Sequence, residues 1–239
     1  MRNQIEYTVY GDYALFTDPF LKLGGEKMTT HIPTYEALKG MTESIYWKPS
    51  IVWIIDEVRV MNMIQMESKG VRPLKQNGDN DLAYYSYLRN VKYQVRAHFE
   101  FNEQRTELTA DFNEHKHHNI AKRCVERGGR RDVFLGAREC QAYVEYEPFG
   151  SGEGAYDHVE EVHYGMMLHG IDYPNERGNK TLATRLWAPV MKHGVIEFIR
   201  PEACTIRREL SERSVKKFEI GETMQSVDEL YDELVGEQG

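Results

Sequence analysis

Residues 91–101 alternate without exception between apolar and polar side chains, and this pattern constrains the fold more than any other part of the chain. A repeat of two residues is the geometry of a β-strand, in which successive side chains point to opposite faces of a sheet. One face of the predicted strand carries Val, Tyr, Ala and Phe, and the other carries Lys92, Arg96 and His98 beside Gln and Glu. The segment therefore predicts a sheet with one buried face and one polar face that bears cations.

Further strands and two helices are predicted around this strand. Strands are expected over residues 5–16, 51–66 and 140–146, and a polar connection over residues 68–81. One helix follows the N-cap Thr34 and ends before Pro49, and a second runs from the capping box Asp111-x-x-Glu114 to Gly128-Gly129. The order strand, helix, strand, strand, helix, strand predicts an α+β fold with a ferredoxin-like (RRM-like) βαββαβ domain, both helices on one face of the sheet.

The sequence changes character after Pro148. A glycine-rich loop at residues 149–154 is followed by short strand-like runs at 159–168, 185–187 and 195–200. Such a loop either brings backbone amides to a phosphate or simply connects two elements, and the connector is the commoner case. We predict a ferredoxin-like domain over residues 1–148, a smaller β-rich C-terminal subdomain over 149–220, and an acidic tail over 221–239 with a short helix at 227–235.

The net charge of −8 is concentrated at the C-terminus, because residues 219–239 hold seven carboxylates and no Lys or Arg. Residues 115–138, by contrast, hold seven Lys or Arg against two carboxylates. A local basic patch on a nearly neutral body suits a nucleic-acid partner. No signal peptide or membrane span is expected, and three widely spaced cysteines indicate reduced thiols, so the predicted location is cytoplasmic.

Three of the nine histidines, His115, His117 and His118, lie within four positions beside Lys116. Imidazoles that exchange protons near neutral pH, set among cations, suit chemistry on a phosphodiester. A metal site is the weaker interpretation, because the helix gives an i,i+3 pair rather than the i,i+4 pair of known zinc helices. The alternative to a catalytic role is that His117 only packs on the apolar stripe of the helix. Tyr46 lies at the end of the first helix, and the predicted topology, with both helices on one sheet face, allows it to approach Lys116 and His117, a contact that the sequence does not determine.

Two motifs carry a resemblance to a known family. Residues 33–40 fit P-x-x-x-A-x-x-G, and residues 134–139 fit F-L-G-x-R-E. With the chain length and the glycine-rich loop, these motifs resemble the fifth family of CRISPR-associated RAMP proteins, and within it the subtype I-C (Dvulg) branch. The similarity covers most of residues 1–220.

The resemblance implies a metal-independent endoribonuclease that cuts precursor CRISPR RNA at the repeat hairpin and stays bound as a Cascade subunit. It implies products with a 2′,3′-cyclic phosphate and a 5′-hydroxyl, catalysis by Tyr46, Lys116 and His117, and no cofactor. The implied partners are the repeat hairpin and the backbone and large subunits of Cascade, with double-stranded DNA as an additional candidate and no membrane. Most members of the family are non-catalytic scaffolds that bind the 5′ end of the CRISPR RNA, so that function is kept as an alternative, as is a metal-dependent DNA nuclease.

The residue chemistry suggests a role for each group. Lys116 is expected to stabilise the charged phosphorane, and His117 and Tyr46 to share the proton transfers in an order that the sequence does not fix. The cations in the second helix and directly after it are expected to bind the backbone of the RNA hairpin. They are Lys122, Arg123, Arg127, Arg130 and Arg131.

Overall fold

The computed structural model describes residues 2–17, 26–75, 78–177 and 180–213, together with Val227 and Tyr231. The predicted tail helix at 227–235, apart from those two residues, and the acidic tail around it lie outside the described residues.

Within these ranges the chain forms strands and helices in an order that begins strand, helix, strand. The strands are β1 (Gln4–Ala14), β2 (Ile51–Val60), β3 (Met66–Val71), β4 (Ala83–Phe101), β5 (Val133–Phe134), β6 (Gln141–Glu145), β7 (Glu161–His163), β8 (Met167–Asp172), β9 (Thr181–Trp187), β10 (Val190–Lys192), β11 (Val195–Glu197) and β12 (Ile206–Glu212). The helices are α1 (Tyr35–Ile45), α2 (Glu114–Glu126) and α3 (Pro174–Arg177), and 3₁₀ turns occur at Thr106–Asp111 and Pro201–Ala203. No helix in the described part of the chain is long and apolar enough to cross a lipid bilayer.

The strands form two sheets, and the pairings between described strands are antiparallel. The large sheet has the order β5-β6-β1-β4-β2-β11-β10-β7, with β3 paired to β4 outside this path. The second sheet has the order β12-β9-β8. The prediction of a mixed α and β fold with antiparallel sheets is therefore confirmed.

The apolar face of β4 lies in the core, as the alternation predicts. Val95 and Ala97 are fully buried, and α1 and α2 contact the large sheet and each other. Thr34 caps α1 by accepting a hydrogen bond from the backbone N–H of Ala37, 3.1 Å away. At the end of α2, the N–H of Gly129 donates to the carbonyl of Cys124 at 2.8 Å, so the predicted start of α1 and stop of α2 are both confirmed.

The glycine-rich loop covers part of the opposite, polar face of the large sheet. Buried Gln94 accepts from the N–H of Gly150 at 2.9 Å and donates to the carbonyl of Ser151 at 2.8 Å. The guanidinium of Arg59 donates to the carbonyls of Ser151 and Gly152 and binds Asp157 at 2.6 Å. The loop is thus a packed cover of the sheet, and the N–H of Gly150 is already bonded within the protein.

Several predicted boundaries differ from the observed ones. The strand predicted over residues 51–66 ends at Val60, and β3 lies where a polar connection was expected. β4 starts at Ala83, well before the perfect alternation begins, and its N-terminal half pairs with β3 in a hairpin. The prediction of a capping box that starts at Asp111 is wrong. Asn113 is the N-cap of α2, and its side chain accepts a hydrogen bond from the N–H of Lys116 at 3.0 Å. The carboxylate of Asp111 binds the side chains of Lys116 and Ser50 instead.

The strands that follow residue 149 belong to both sheets. β11 pairs with β2 and extends the large sheet through β10 to β7, whereas β8, β9 and β12 form the second sheet. The second sheet contacts α1 through Glu36, whose carboxylate accepts from the N–H of Ile171 at 3.0 Å, and Lys39 of α1 binds Glu176 of α3 at 2.6 Å. The predicted domain boundaries at 148/149 and 220/221 stay predictions.

Replacing Gly136 with Ala is expected to destabilise the protein strongly. Gly136 has φ +89°, and a Cβ atom there would lie 2.1 Å from the carbonyl oxygen of Leu15. Gly150 is the matched control, because it has φ +87° and open space around the same position. Ala at position 150 should cost only backbone strain, about 1–2 kcal/mol, and Ala at position 136 more than about 3 kcal/mol. Urea unfolding measures both, and equal losses would contradict the steric explanation.

Candidate active site

Tyr46 lies directly after α1, and its hydroxyl points towards α2. Its backbone N–H donates to the carbonyl of Thr42 at 3.0 Å, which closes the last turn of the helix. Its own carbonyl accepts from the indole N–H of Trp53 on β2 at 2.7 Å. These two bonds fix the backbone of Tyr46 between the helix and the sheet, so the direction of its side chain is set by both elements.

His117 lies on the buried face of α2 and uses both ring nitrogens. The hydroxyl of Tyr46 is 2.8 Å from Nδ1, and the backbone carbonyl of Asp111 is 2.8 Å from Nε2. A carbonyl oxygen can only accept, so Nε2 carries a proton and donates it. In the neutral imidazole Nδ1 then accepts from the phenol. The contact between Tyr46 and His117 that the sequence suggested is present.

Asp111 joins the remaining groups. Its carboxylate binds the ammonium of Lys116 and accepts from the hydroxyl of Ser50 at 2.6 Å. The same carboxylate lies 3.4 Å from Nε2 of His117. The hydrogen bonds from Lys116 and then from Ser50 hold the pKa of Asp111 below its usual range. Asp111 is therefore an anion that connects Lys116 to the Tyr46–His117 pair.

The Tyr46–His117 pair is buried, which fits the alternative that His117 packs on the apolar stripe of the helix. His117 has no exposed surface, and Tyr46 is 1% exposed. The rings of Phe99 and Phe101 lie edge-on to the imidazole at centroid distances of 5.9 and 6.2 Å. Phe101 is in turn stacked on Phe112 at 4.7 Å. The side chain of Lys116, by contrast, is 48% exposed.

Residues 106–112, which we call the cover segment, close the site on this side. The segment contains the 3₁₀ turn Thr106–Asp111, none of whose residues is buried, and Phe112. The cover segment contacts His117 through Asp111, whose backbone carbonyl and carboxylate both lie near Nε2 of the imidazole. Few buried apolar contacts are typical of segments that open locally at low free-energy cost.

The phenol of Tyr46 is held in its protonated form. Burial first, and then the nearby Asp111 carboxylate, raise its pKa to about 12. Both effects act against a phenolate, because each disfavours a negative charge at that oxygen. Near neutral pH Tyr46 is thus a proton donor or an orienting group and not a base.

The other two histidines of the cluster face away from this site. His115 is exposed, and His118 is half-buried against β1. Within the described ranges no three His, Cys, Asp or Glu side chains are grouped so that they could hold a metal ion.

The predicted RNA-binding cations are exposed on and after α2, namely Lys122, Arg123, Arg127, Arg130 and Arg131. The N–H of Arg130 donates to the carbonyl of Ile45 at 3.0 Å, and that of Arg131 to the carbonyl of Ser44 at 3.2 Å. The loop after α2 that contains Arg130 and Arg131 is therefore attached to the end of α1, directly before Tyr46.

Comparison with known proteins shows the family. Residues 4–199 match the model of the Cas5d family, described as a CRISPR-associated protein (Cas5). The chain belongs to this family. A Cas5d relative from Mannheimia succiniciproducens, named a CRISPR pre-crRNA endoribonuclease, is 27% identical, with 82% of this chain and 95% of the relative covered. A relative of the same name from Thermus thermophilus is 24% identical, with 75% and 78% covered.

Two solved structures are similar to the chain over most of its length. A crystal structure of a CRISPR-associated protein is 35% identical, with a TM-score of 0.74 and with 86% of this chain and 96% of that chain covered. A functionally uncharacterised protein from Streptococcus mutans is also 35% identical, with a TM-score of 0.73 and the same shares covered. The sequence motifs quoted for the family therefore identified it correctly.

Sequence reasoning missed two members of the site. The sequence pattern predicts a helix cap at Asp111 and gives no signal for Ser50. For Asp111 the available signal was the presence of an acid and a lysine close together in the chain, at the start of the second helix, where they form an ion pair. Nothing in the local sequence pairs Ser50 with Asp111, which lies 61 residues away in the chain.

Proposed function

We propose that the protein is an endoribonuclease that cuts precursor CRISPR RNA at the repeat hairpin and stays with the product as a Cascade subunit. One observation carries this: a phenol, an imidazole and an ammonium from two helices meet around Asp111. The names of the Cas5d relatives support RNA cleavage. The strand order β6-β1-β4-β2 with α1 and α2 supports a ferredoxin-like domain, a fold that many RNA binders share.

The reaction that fits these groups is an attack by the RNA on itself. The 2′-oxygen forms a bond to the neighbouring phosphorus, and the bond from phosphorus to the 5′-oxygen breaks. One proton leaves the 2′-hydroxyl and another reaches the departing 5′-oxygen, which gives a 2′,3′-cyclic phosphate and a 5′-hydroxyl. None of these steps requires a metal ion, so the proposed activity is metal-independent.

Each residue of the set has one role in this reaction. Lys116, the exposed cation, stabilises the charge on the non-bridging oxygens. Once the Asp111 carbonyl is displaced, His117 acts in the tautomer whose Nδ1–H donates to the oxygen of Tyr46, so that Nε2 accepts the 2′ proton and, as imidazolium, gives it to the departing 5′-oxygen. Tyr46 orients the imidazole and remains protonated because its pKa is raised to about 12.

RNA has to displace the cover segment before it can reach His117. The carbonyl of Asp111 occupies Nε2, and Phe112 stacks on Phe101 in front of the ring. We propose that the scissile phosphate replaces the Asp111 carbonyl and that Lys116 exchanges its carboxylate partner for a phosphate oxygen. The exposed arginines after α2 attract the RNA backbone to this side of the protein. Double-stranded DNA as a further partner stays a prediction.

A substrate with a single 2′-deoxy sugar at the cut position is expected to bind normally and to remain uncut, because it lacks the attacking oxygen. Cleavage of the ribose substrate is expected to continue at the same rate in EDTA. Labelled repeat RNA on a denaturing gel measures both. Cutting of the deoxy substrate would contradict the attack by the 2′-hydroxyl, and loss of activity in EDTA with rescue by Mn²⁺ would favour a metal-dependent nuclease.

The burial of His117 favours a second candidate function, a non-catalytic scaffold that binds the 5′ end of the CRISPR RNA. In that case the Tyr46–His117 bond only connects α1 to α2. The two functions give opposite results in the gel, since a scaffold binds the repeat RNA and leaves it intact.

A further inference from the structure

Ser50 has a fixed position at the end of the large sheet. It lies directly before β2 and is fully buried. Its backbone carbonyl accepts from the N–H of Asn102, the residue after β4, at 2.9 Å. The N–H of Ile51, the first residue of β2, donates to the carbonyl of Lys48 at 3.1 Å. The hydroxyl of Ser50 is therefore presented from a backbone that β2 and β4 hold in place.

The hydroxyl of Ser50 binds the cover segment. It donates to Oδ2 of Asp111 at 2.6 Å, because an ionised carboxylate can only accept. A hydrogen bond to a charged group is roughly twice as strong as one between neutral groups. The bond is therefore a strong attachment for a segment whose 3₁₀ turn has no buried residue.

Asp111 is the residue through which the cover segment is attached to the rest of the protein. The other described hydrogen bonds of the segment are local, such as those that Thr109 and Phe112 donate to carbonyls three residues earlier. Local bonds move with the segment and do not resist its displacement. Away from Asp111, the described ring contact is the stack of Phe112 on Phe101 at 4.7 Å. Opening therefore requires that the bonds of Asp111 and this stack break.

Asp111 also occupies both groups that the proposed mechanism assigns to the RNA. Its carboxylate binds the ammonium of Lys116, and its backbone carbonyl accepts from Nε2 of His117 at 2.8 Å. A phosphodiester would present its oxygens to the same ammonium and the same imidazole. One residue of the chain thus takes the place of the substrate, and the hydrogen bond from Ser50 holds it there.

We propose that Ser50 and Asp111 form a latch that keeps the imidazole of His117 closed off in the free protein. Ser50 is a positioning residue, because it acts through Asp111 and touches no reacting atom. A site that is open in only a fraction of the molecules binds its ligand more weakly by that fraction. Removal of the Ser50 hydroxyl therefore exposes His117 more often and strengthens RNA binding. The latch follows from the geometry of the free protein, and its effect on RNA rests on the proposed function.

Labelling with diethyl pyrocarbonate, which modifies accessible imidazoles, measures the opening without RNA, and tandem mass spectrometry assigns the label to single residues. His117 is expected to be labelled about 5- to 50-fold faster in Ser50→Ala than in the unmodified protein, as the loss of one hydrogen bond to a carboxylate predicts. His169 is the internal control, because it is also fully buried and its Nε2 lies 2.9 Å from a backbone carbonyl, that of Ile199. Labelling of His169 should be unchanged.

Two further comparisons test whether Ser50 acts through Asp111. In an Asp111→Ala background, Ser50→Ala should change the labelling of His117 no further, because the bond between them is already absent. Ser44→Ala is the matched control, since it removes a serine hydroxyl that is bonded at 2.9 Å to the carbonyl of Gly40 within α1. It should leave the labelling of His117 unchanged. Additive effects of the Ser50 and Asp111 substitutions would overturn the latch.

Fluorescence anisotropy measures binding of a repeat hairpin that carries a 2′-deoxy sugar at the cut position. Ser50→Ala is expected to bind it about 5- to 50-fold more tightly than the unmodified protein, and Ser44→Ala within about two-fold. Unchanged labelling of His117, or an equal rise at His117 and His169, would overturn the latch. Faster labelling of His117 with unchanged RNA affinity would support the latch and reject the approach of RNA to His117, on which the proposed function depends.

Discussion

Replacing His117 with Ala is expected to lower the single-turnover rate of repeat RNA cleavage by about 10²–10⁴-fold, the usual contribution of a general acid or base. Histidine is the side chain that most often serves as a general acid or base, and burial and the Asp111 carboxylate keep the phenol of Tyr46 protonated. Binding of the RNA is expected to change little, because His117 is fully buried and contributes no surface to the free protein. Cleavage kinetics and RNA affinity, measured on the same preparation, separate the two effects.

The loss of a buried ring also affects stability, so this experiment needs two controls. His117→Asn keeps a polar group near Tyr46 and preserves more of the packing than Ala, yet it cannot transfer the proton, and it should be equally slow. His115→Ala changes an exposed neighbour in the same helix and should cleave at the normal rate. A folded His117 variant that cleaves as fast as the unmodified protein would leave the imidazole with a packing role only.

Replacing Lys116 with Ala is expected to lower the cleavage rate by about 10²–10³-fold. Removal of one group that stabilises a developing anion has an effect of this size in other enzymes. Stability should change little, since the side chain is about half exposed and its ion pair with Asp111 is at the surface. Lys122→Ala is the matched comparison, because Lys122 lies on the same helix and is exposed.

The two lysine variants are expected to differ in kind. Lys122→Ala should weaken RNA binding and reduce its dependence on salt, while bound RNA is cut at the normal rate. Lys116→Ala should slow the cutting of bound RNA. If both variants changed only the affinity, Lys116 would be one more phosphate contact, and the proposed mechanism would lose its electrostatic component.

The sequence predicted the central elements of the fold because their signals are local. The alternation that ends at Phe101 follows from the pleat of a strand with one buried face, and Thr34 and Gly129 act on backbone groups within a few residues. β3 was missed because its side chains are polar or exposed and its pairing partner supplies the stability. Pairing of that kind depends on tertiary context rather than on a pattern within the strand.

The sequence proposes Tyr46, Lys116 and His117 for the candidate site, but it indicates neither Asp111 and Ser50 as members nor the burial of the Tyr46–His117 pair. The proximity of Tyr46 to His117 follows from two helices that share a sheet face, and the contact is present. The burial of both side chains depends on Phe101, Phe112 and the path of the cover segment, which the sequence of α2 does not encode. For the same reason Asp111 was assigned to a helix cap, although its carboxylate binds Lys116 and Ser50.

A structure of the protein bound to the uncleavable 2′-deoxy repeat hairpin tests the central claim most directly. We predict that the cover segment moves away, and that the scissile phosphate lies within hydrogen-bond distance, about 3 Å, of Nζ of Lys116 and Nε2 of His117. A bound hairpin whose scissile phosphate lies elsewhere, with His117 still held between Tyr46 and the carbonyl of Asp111, would contradict it.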